Sequence, residues 1–257
     1  MATHYISIEA FLEVQGQRDY GPVCHALCAG IRKHLQDYLV LVVQLETQLL
    51  TNPNFTLNVL NLHTLSAAHM LKQIYTLGRA ISNQSSDMED GTEKDIDDFD
   101  DILESLRAGR DLSSGDILNR RSCKGGKVLR LLTTRLDTIS GDPAARAILT
   151  ALLKDASRPY VAILNDWLHH GTIQDPHGEF LVREQKSIKR EKLAQDYTDE
   201  YWDRRYTLRD DIPPQLEPFK NKILLAGKYL NVVHECGGID TNEAMEIFRN
   251  LSMICAL

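Results

Sequence analysis

Between Gly21 and Leu49 the chain reads GPVCHALCAGIRKHLQDYLVLVVQLETQL, and this stretch decides the fold. Leu27, Ile31, Leu35, Tyr38, Val42, Leu45 and Leu49 recur at steps of three and four, the stripe of a long amphipathic helix. Pro22 suits its first turn, where a missing amide costs nothing. Asn52-Pro53 ends it, because a residue before proline is pushed out of the helical region. A second apolar segment, Leu57 to Ile81, follows after so short a link that the two helices are expected to lie antiparallel.

Downstream, Val128, Leu131, Leu132, Leu136 and Ile139 mark another helix, and Ser140-Gly141-Asp142-Pro143 closes it and opens the next. Glycine just past a helix end, aspartate as cap and proline in the first turn are the local chemistry of such a junction. The following stretch reaches Trp167 and Leu168 before Gly171, with Pro159 expected to kink it or to divide it at a Ser157 cap. Asp175-Pro176-His177-Gly178 has type I turn residues and Phe180 and Val182 alternate after it, so a small hairpin is expected over 172–182. Pro213-Pro214 precedes a stripe of Leu216, Phe219, Ile223, Ala226, Leu230 and Val233 that ends at Gly237-Gly238. Asp240 and Glu243 form a capping-box pattern for a helix with Ala244, Ile247, Leu251 and Ile254. That helix reaches Leu257 without a cap, as expected of a chain cut from something longer.

The fold class expected is all-α: an elongated helical bundle with one short β-hairpin and an acidic flexible insertion. The division expected is a helical segment over 1–81, an insertion over 82–126, and a second helical segment of the same domain over 127–257. Asp87 to Glu104 holds ten acidic residues against the single base Lys94. Ile96, Phe99, Leu103 and Leu106 keep helical spacing within it, which fits a short acidic helix that docks on a partner or on the protein itself, or a solvated loop with a transient helix.

Composition narrows function mainly by exclusion. A length of 257 residues, 43% apolar and 25% charged, is ordinary for a globular protein that needs no staple. A net charge of −7 speaks against broad affinity for nucleic acid or anionic lipid, which require clustered Lys and Arg. The five cysteines are scattered among apolar neighbours, the start lacks a signal peptide, and the apolar run from Tyr38 to Val43 is too short to span a bilayer. A cytosolic protein is expected.

Candidate chemistry is thin. Lys124-Gly125-Gly126-Lys127 lacks the spacing, the following hydroxyl and the preceding strand of a phosphate loop. Cys24, His25 and Cys28 share a helical turn, yet no matching ligand pair lies elsewhere, so core packing is expected. Asp175, His177 and Glu179 alternate in a way that would serve a metal-dependent hydrolase, but each also has a turn or strand explanation. His169-His170 sits at a helix end, where the dipole favours a cation. Tyr197, Tyr201, Trp202 and Tyr206 lie among Lys, Arg, Asp and Glu, a density that fits an interface hot spot and equally a core helix with a charged face. Lys186 to Lys192 is basic and reads as a solvated helical face.

An ordered set of segments then resembles one family. It comprises Tyr20-Gly21-Pro22-Val23-Cys24-His25-Ala26-Leu27, Gln44-Leu45-Glu46, Ser140-Gly141-Asp142, Gly171 through Phe180, Asp196-Tyr197 through Tyr201-Trp202 to Arg205-Tyr206, and Gly227 through Val233. Together these look like the gamma-tubulin complex component family, its component 2 branch more than its component 3 branch. The resemblance implies part of an N-terminal Grip domain, a helical scaffold without catalytic residues, cofactor or metal. It implies lateral contacts with component 3 and other components that arrange gamma-tubulin for microtubule nucleation, at a spindle pole body or centrosome. Gamma-tubulin itself would be held through the C-terminal Grip domain of the full-length protein, and spindle-pole or centrosomal tethering proteins are further expected partners. Tyr201, Trp202, Arg204, Arg205 and Tyr206 are the residues expected to support a component-to-component surface. The alternatives left open are a helical adaptor of another assembly, such as a tethering complex, and the hydrolase.

Overall fold

The computed structural model describes residues 1–86, 123–185 and 199–235. The acidic run with its short helix, the basic run from Lys186, Tyr197 and the helix expected after Gly237-Gly238 lie outside the described residues. The described elements are helical except for one pair of three-residue strands: α1 (Ala2–Gln15), α2 (Gly21–Thr51), α3 (Leu57–Ser86), α4 (Gly126–Thr138), α5 (Pro143–His170), β1 (Val182–Glu184), α6 (Asp199–Arg205), β2 (Tyr206–Leu208) and α7 (Lys220–Glu235). The all-α expectation is met. By contact the chain separates into two units, Met1–Tyr160 and Val161–Leu257.

The first unit is built as its stripes require. Val23, Leu27, Ile31 and Leu35 of α2 are buried, as are Leu71, Ile74, Leu77 and Ile81 of α3, Val128 and Leu132 of α4, and Leu149, Leu152 and Tyr160 of α5. Each such side chain removed from water contributes ~1.5–3 kcal/mol, which sets these helix faces inward. Gly30 lets two helices approach closely, while at Gly78 a side chain would make only ordinary contact. A Cβ on Gly30 would lie 3.1 Å from Leu152 Cδ2, and one on Gly78 would lie 3.4 Å from the Phe11 ring of α1. Across α3 and α4 the Arg135 guanidinium donates to Thr76 Oγ1 at 2.9 Å and to the Thr76 carbonyl at 3.0 Å.

Three features go beyond the sequence reading or narrow it. α1 carries no clean apolar stripe in the sequence; Ile8, Leu12 and Gln15 are buried on it, its His4 ring stacks on Tyr75 at 4.7 Å and its Tyr5 ring lies 5.9 Å from that of Tyr38. Pro159 neither divides α5 nor is preceded by a cap at Ser157, whose hydroxyl instead donates to the Lys154 carbonyl at 3.0 Å inside the helix. α3 runs on to Ser86, past the point where the insertion was expected to begin.

The entry to α5 is as read, with Asp142 as cap and Pro143 first, whereas α4 ends at Thr138 with Ile139, and not Gly141, at its C-cap. Asp142 Oδ1 accepts the amides of Ala144 and Ala145, each at 3.1 Å, while its Oδ2 faces His69 Nε2 at 2.8 Å. Asp142→Ala removes the acceptor of two first-turn amides and is expected to lower stability by about 1 kcal/mol. Asp142→Asn, which still caps, should retain most of it, and urea unfolding of the two variants against the parent checks the order.

In the second unit the expected hairpin over 172–182 is corrected. Val182 opens β1, but its partner is β2, antiparallel, with Val182 opposite Leu208, Arg183 opposite Thr207 and Glu184 opposite Tyr206. The physical reason lies in the turn, where Asp175 Oδ2 accepts the Phe180 amide at 2.7 Å and Gly178 has φ +69°. Phe180, Leu181 and Val182 are then buried in succession rather than alternately. Their ladder partner comes from the far end of α6, where the Gln185 amide reaches the Arg205 carbonyl at 2.7 Å and the Arg209 amide reaches that of Leu181 at 2.9 Å.

Candidate protein-interaction site

Trp167, near the end of α5, anchors the second unit. It is fully buried, and its indole N–H donates to the Ile223 carbonyl of α7 at 2.8 Å. Gly227, one turn further along α7, lies so close that a Cβ there would fall 2.0 Å from Trp167 Cε2. Only a residue without a side chain fits against the indole at that depth. Asn231, one turn beyond, donates from Nδ2 to the carbonyls of Gly171 (2.8 Å) and Gly227 (2.9 Å). Gly171 has φ +65° and ends α5, so Asn231 fastens α7 to that helix terminus.

α6 and β2 bring the aromatic segment to the same place. Tyr201, Trp202, Arg205 and Tyr206 fall at i, i+1, i+4 and i+5, one face of the short helix and its exit. Tyr206 packs at 5.0 Å from Trp167 and stacks parallel to Trp202 at 6.1 Å, and Tyr201 meets Trp202 edge-on at 5.1 Å. The Arg205 guanidinium sits 5.5–5.7 Å from all three ring centres and pairs with Glu184 of β1 at 3.0 Å. Burial works against its charge, yet the hydrogen bonds to Glu184 and Tyr201 hold its pKa above the ordinary value. Burial, with the negative Glu184 alongside, pushes the Tyr206 hydroxyl up to about 12, so it stays neutral at physiological pH. Arg205 is therefore a fixed cation inside a ring cage, held by charge on one side and quadrupoles on the other.

The five residues named from the sequence thus divide. Tyr201, Trp202 and Tyr206 are buried, Arg205 is half-buried, and Arg204 is exposed. Lys228 adds a contact that sequence reading did not single out. Its side chain is buried along α7 while its ammonium reaches Asp203 Oδ1 at 2.7 Å, and Asp203 itself stands 73% exposed. Lys228 covers apolar surface with its stem and holds a surface carboxylate with its head. Trp167, Glu184 and Asn231 were also missed. Their signal in the sequence is faint: a Trp at a helix end, and polar residues beside a glycine within an apolar stripe.

The other candidates do not assemble. Asp175 is used by its turn, Glu179 is buried, and among the described residues no three His, Cys, Asp or Glu side chains are grouped to hold a metal ion. Cys28 is buried, which raises its thiol pKa to about 11 and keeps it protonated, whereas a metal ligand or nucleophile must be a thiolate. Cys24 Sγ lies 3.6 Å from the Cys123 carbonyl, and His25 Nε2 lies 2.8 Å from that of Gln17. Gly125 and Gly126 are buried at the start of α4, where the Gly125 carbonyl accepts the Leu129 amide. Among the described residues no helix is long and apolar enough to cross a membrane.

Residues 1–254 match the family model described as gamma tubulin complex component N-terminal. The chain is 45% identical over 241 residues to spindle pole body component alp4 of Schizosaccharomyces pombe, covering 92% of this chain and 31% of that protein. It is 35% identical over 238 residues to gamma-tubulin complex component 2 of Mus musculus, covering 92% of this chain and 22% of that one. Against gamma-tubulin complex component 3 of Homo sapiens the identity is 25% over 220 residues, 85% of this chain and 20% of the other. The chain therefore spans between 20% and 31% of the length of these curated relatives.

Proposed function

The chain belongs to the gamma-tubulin complex component family, whose N-terminal domain it carries, and from this we propose that it is a non-enzymatic scaffold of the gamma-tubulin complex. Its role is to hold a neighbouring component, component 3 first among them, in lateral register so that gamma-tubulins are arranged to nucleate a microtubule. The observation that carries this reading is the family match across nearly the whole chain. Higher identity to component 2 than to component 3 supports the choice of component 3 as the complementary neighbour. The names of the relatives place the work at a spindle pole body or an equivalent organising centre, where gamma-tubulin itself would be held by the full-length protein and tethering proteins would be met.

The site geometry supports an architectural mechanism. Of the residues that carry the family likeness, Gly171, Gly227 and Asn231 contact one another, Trp202, Arg205 and Tyr206 do likewise, and Lys228 holds Asp203; Trp167 joins the two groups. Their interlock fixes α6 against α5 and α7, and a fixed α6 presents Asp203 and Arg204 at the surface in one orientation. Tyr201, Trp202, Arg205 and Tyr206 then support a component-to-component surface from beneath, and Arg204 is the one of the five that would touch the partner. Sedimentation of the chain with the corresponding region of component 3, against concentration and salt, tests the reading. Saturable one-to-one association is the expected result. Two independently sedimenting species at every concentration would defeat lateral assembly by this domain.

A further inference from the structure

The outer end of the α2–α3 pair is built unlike the rest of its unit. From Leu39 to Leu65 the two helices bury only Leu45, yet ten of the seventeen exposed large apolar side chains among the described residues lie there. On α2, Leu39, Val43, Glu46 and Leu50 fall at steps of four, three and four, a single seam on the side away from Leu45. Leu50 is 79% exposed, and Leu57, Leu62 and Leu65 of α3 are exposed to a similar degree. A helix apolar on both its inner and outer sides is normally covered on both. A row of exposed apolar side chains along one helix face marks an interaction site.

The charges indicate what covers it. Between Lys33 and Lys72 there is no Lys or Arg, and the only formal charges are Asp37 and Glu46, the latter inside the seam. Pairing two copies of this hairpin would bring Asp37 and Glu46 of each copy together with no Lys or Arg on either side to answer them. A helical surface that is apolar over three turns and carries a Lys or Arg opposite Glu46 satisfies both the seam and its charge.

We propose that the α2 seam Leu39, Val43, Glu46 and Leu50 docks such a basic-rimmed apolar helix on the neighbouring component chain. The proposal rests on the lateral-scaffold reading and assigns it a surface. Because these side chains are exposed, Leu39→Gln, Val43→Gln and Leu50→Gln together should leave circular dichroism and the unfolding midpoint unchanged. With the complete chain and the corresponding region of component 3 from the same organism as probe, the triple variant is expected to weaken association at least tenfold. Glu46→Lys alone should weaken it several-fold, more at low salt. Parent-like binding by the triple variant overturns the hairpin surface while leaving lateral assembly standing. Unchanged or tighter binding by Glu46→Lys overturns the basic partner. A concentration-dependent dimer of the parent that the triple variant abolishes gives the seam to a second copy and overturns the choice of occupant. Failure of the parent itself to bind component 3 removes the reading beneath the proposal, and the proposal with it.

Discussion

Gly227→Ala is expected to destabilise the chain by about 3 kcal/mol, at the upper end of what one added methyl does in a packed interior. Alanine in place of a helical glycine ordinarily gains about 1 kcal/mol, so the sign itself is informative. Here the added Cβ would stand 2.0 Å from Trp167 Cε2 and 2.1 Å from Cζ2. The indole cannot retreat cheaply, because its N–H is tied to the Ile223 carbonyl on the same helix that carries Gly227. Urea unfolding of the variant reads the loss directly. A second variant separates this clash from general intolerance of α7. Trp167→Leu is itself destabilising, since it empties volume and removes the indole hydrogen bond to Ile223, but Gly227→Ala should then add little or nothing to it. Such non-additivity is the signature of two residues competing for one space. A Gly227→Ala chain as stable as the parent would mean that α7 stands off from the indole, and the interlock would fail as an account of the motif.

Arg205→Ala is expected to cost about 2–3 kcal/mol. The substitution leaves Glu184, only 16% exposed at its side chain, without its cation, and removes the charge that three rings enclose. Loss of one partner from a well-buried pair costs about 3–5 kcal/mol, and the remaining exposure of Arg205 brings the figure down by screening. Lysine should not rescue, because an ammonium cannot stack between rings and meet a carboxylate with the same planar fork. Near-ultraviolet circular dichroism and tryptophan fluorescence report on the Trp202–Tyr206 stack and should change with Arg205→Ala. Arg204→Ala, on the exposed neighbour, should leave both signals alone and weaken association with component 3. The pair of variants distinguishes a residue that shapes the surface from one that belongs to it.

The contrast between Arg204 and Arg205 also shows where sequence reading reaches its limit. Both lie in one aromatic-rich, charged segment, and from the sequence that segment fits an interface and a core equally well. Periodicity places Tyr201, Trp202, Arg205 and Tyr206 on one helical face. It does not say whether that face meets solvent, because the deciding groups are Glu184 and Trp167, 21 and 38 residues upstream of Arg205. The same holds for Lys228, whose place in an apolar stripe makes sense only once Asp203 is seen beneath its ammonium.

What the sequence determined by itself is local. α2, the start of α3, α4 and the capped entry to α5 follow from apolar residues at three- and four-residue steps, from Asn52-Pro53, and from Asp142 reaching amides two and three residues away. Family membership was legible for the same reason, since the motifs that carry it are short ordered segments. Tertiary structure alone decided that α1 is a helix held by contacts with other helices, that β1 pairs with β2 and not with residues 172–181, and that three aromatics of the candidate surface lie inside. Helix formation depends on partners within one turn, whose identities are adjacent in the sequence. Strand pairing and burial depend on which distant groups close the loop first and which hydrogen bonds and charges they can satisfy on arrival.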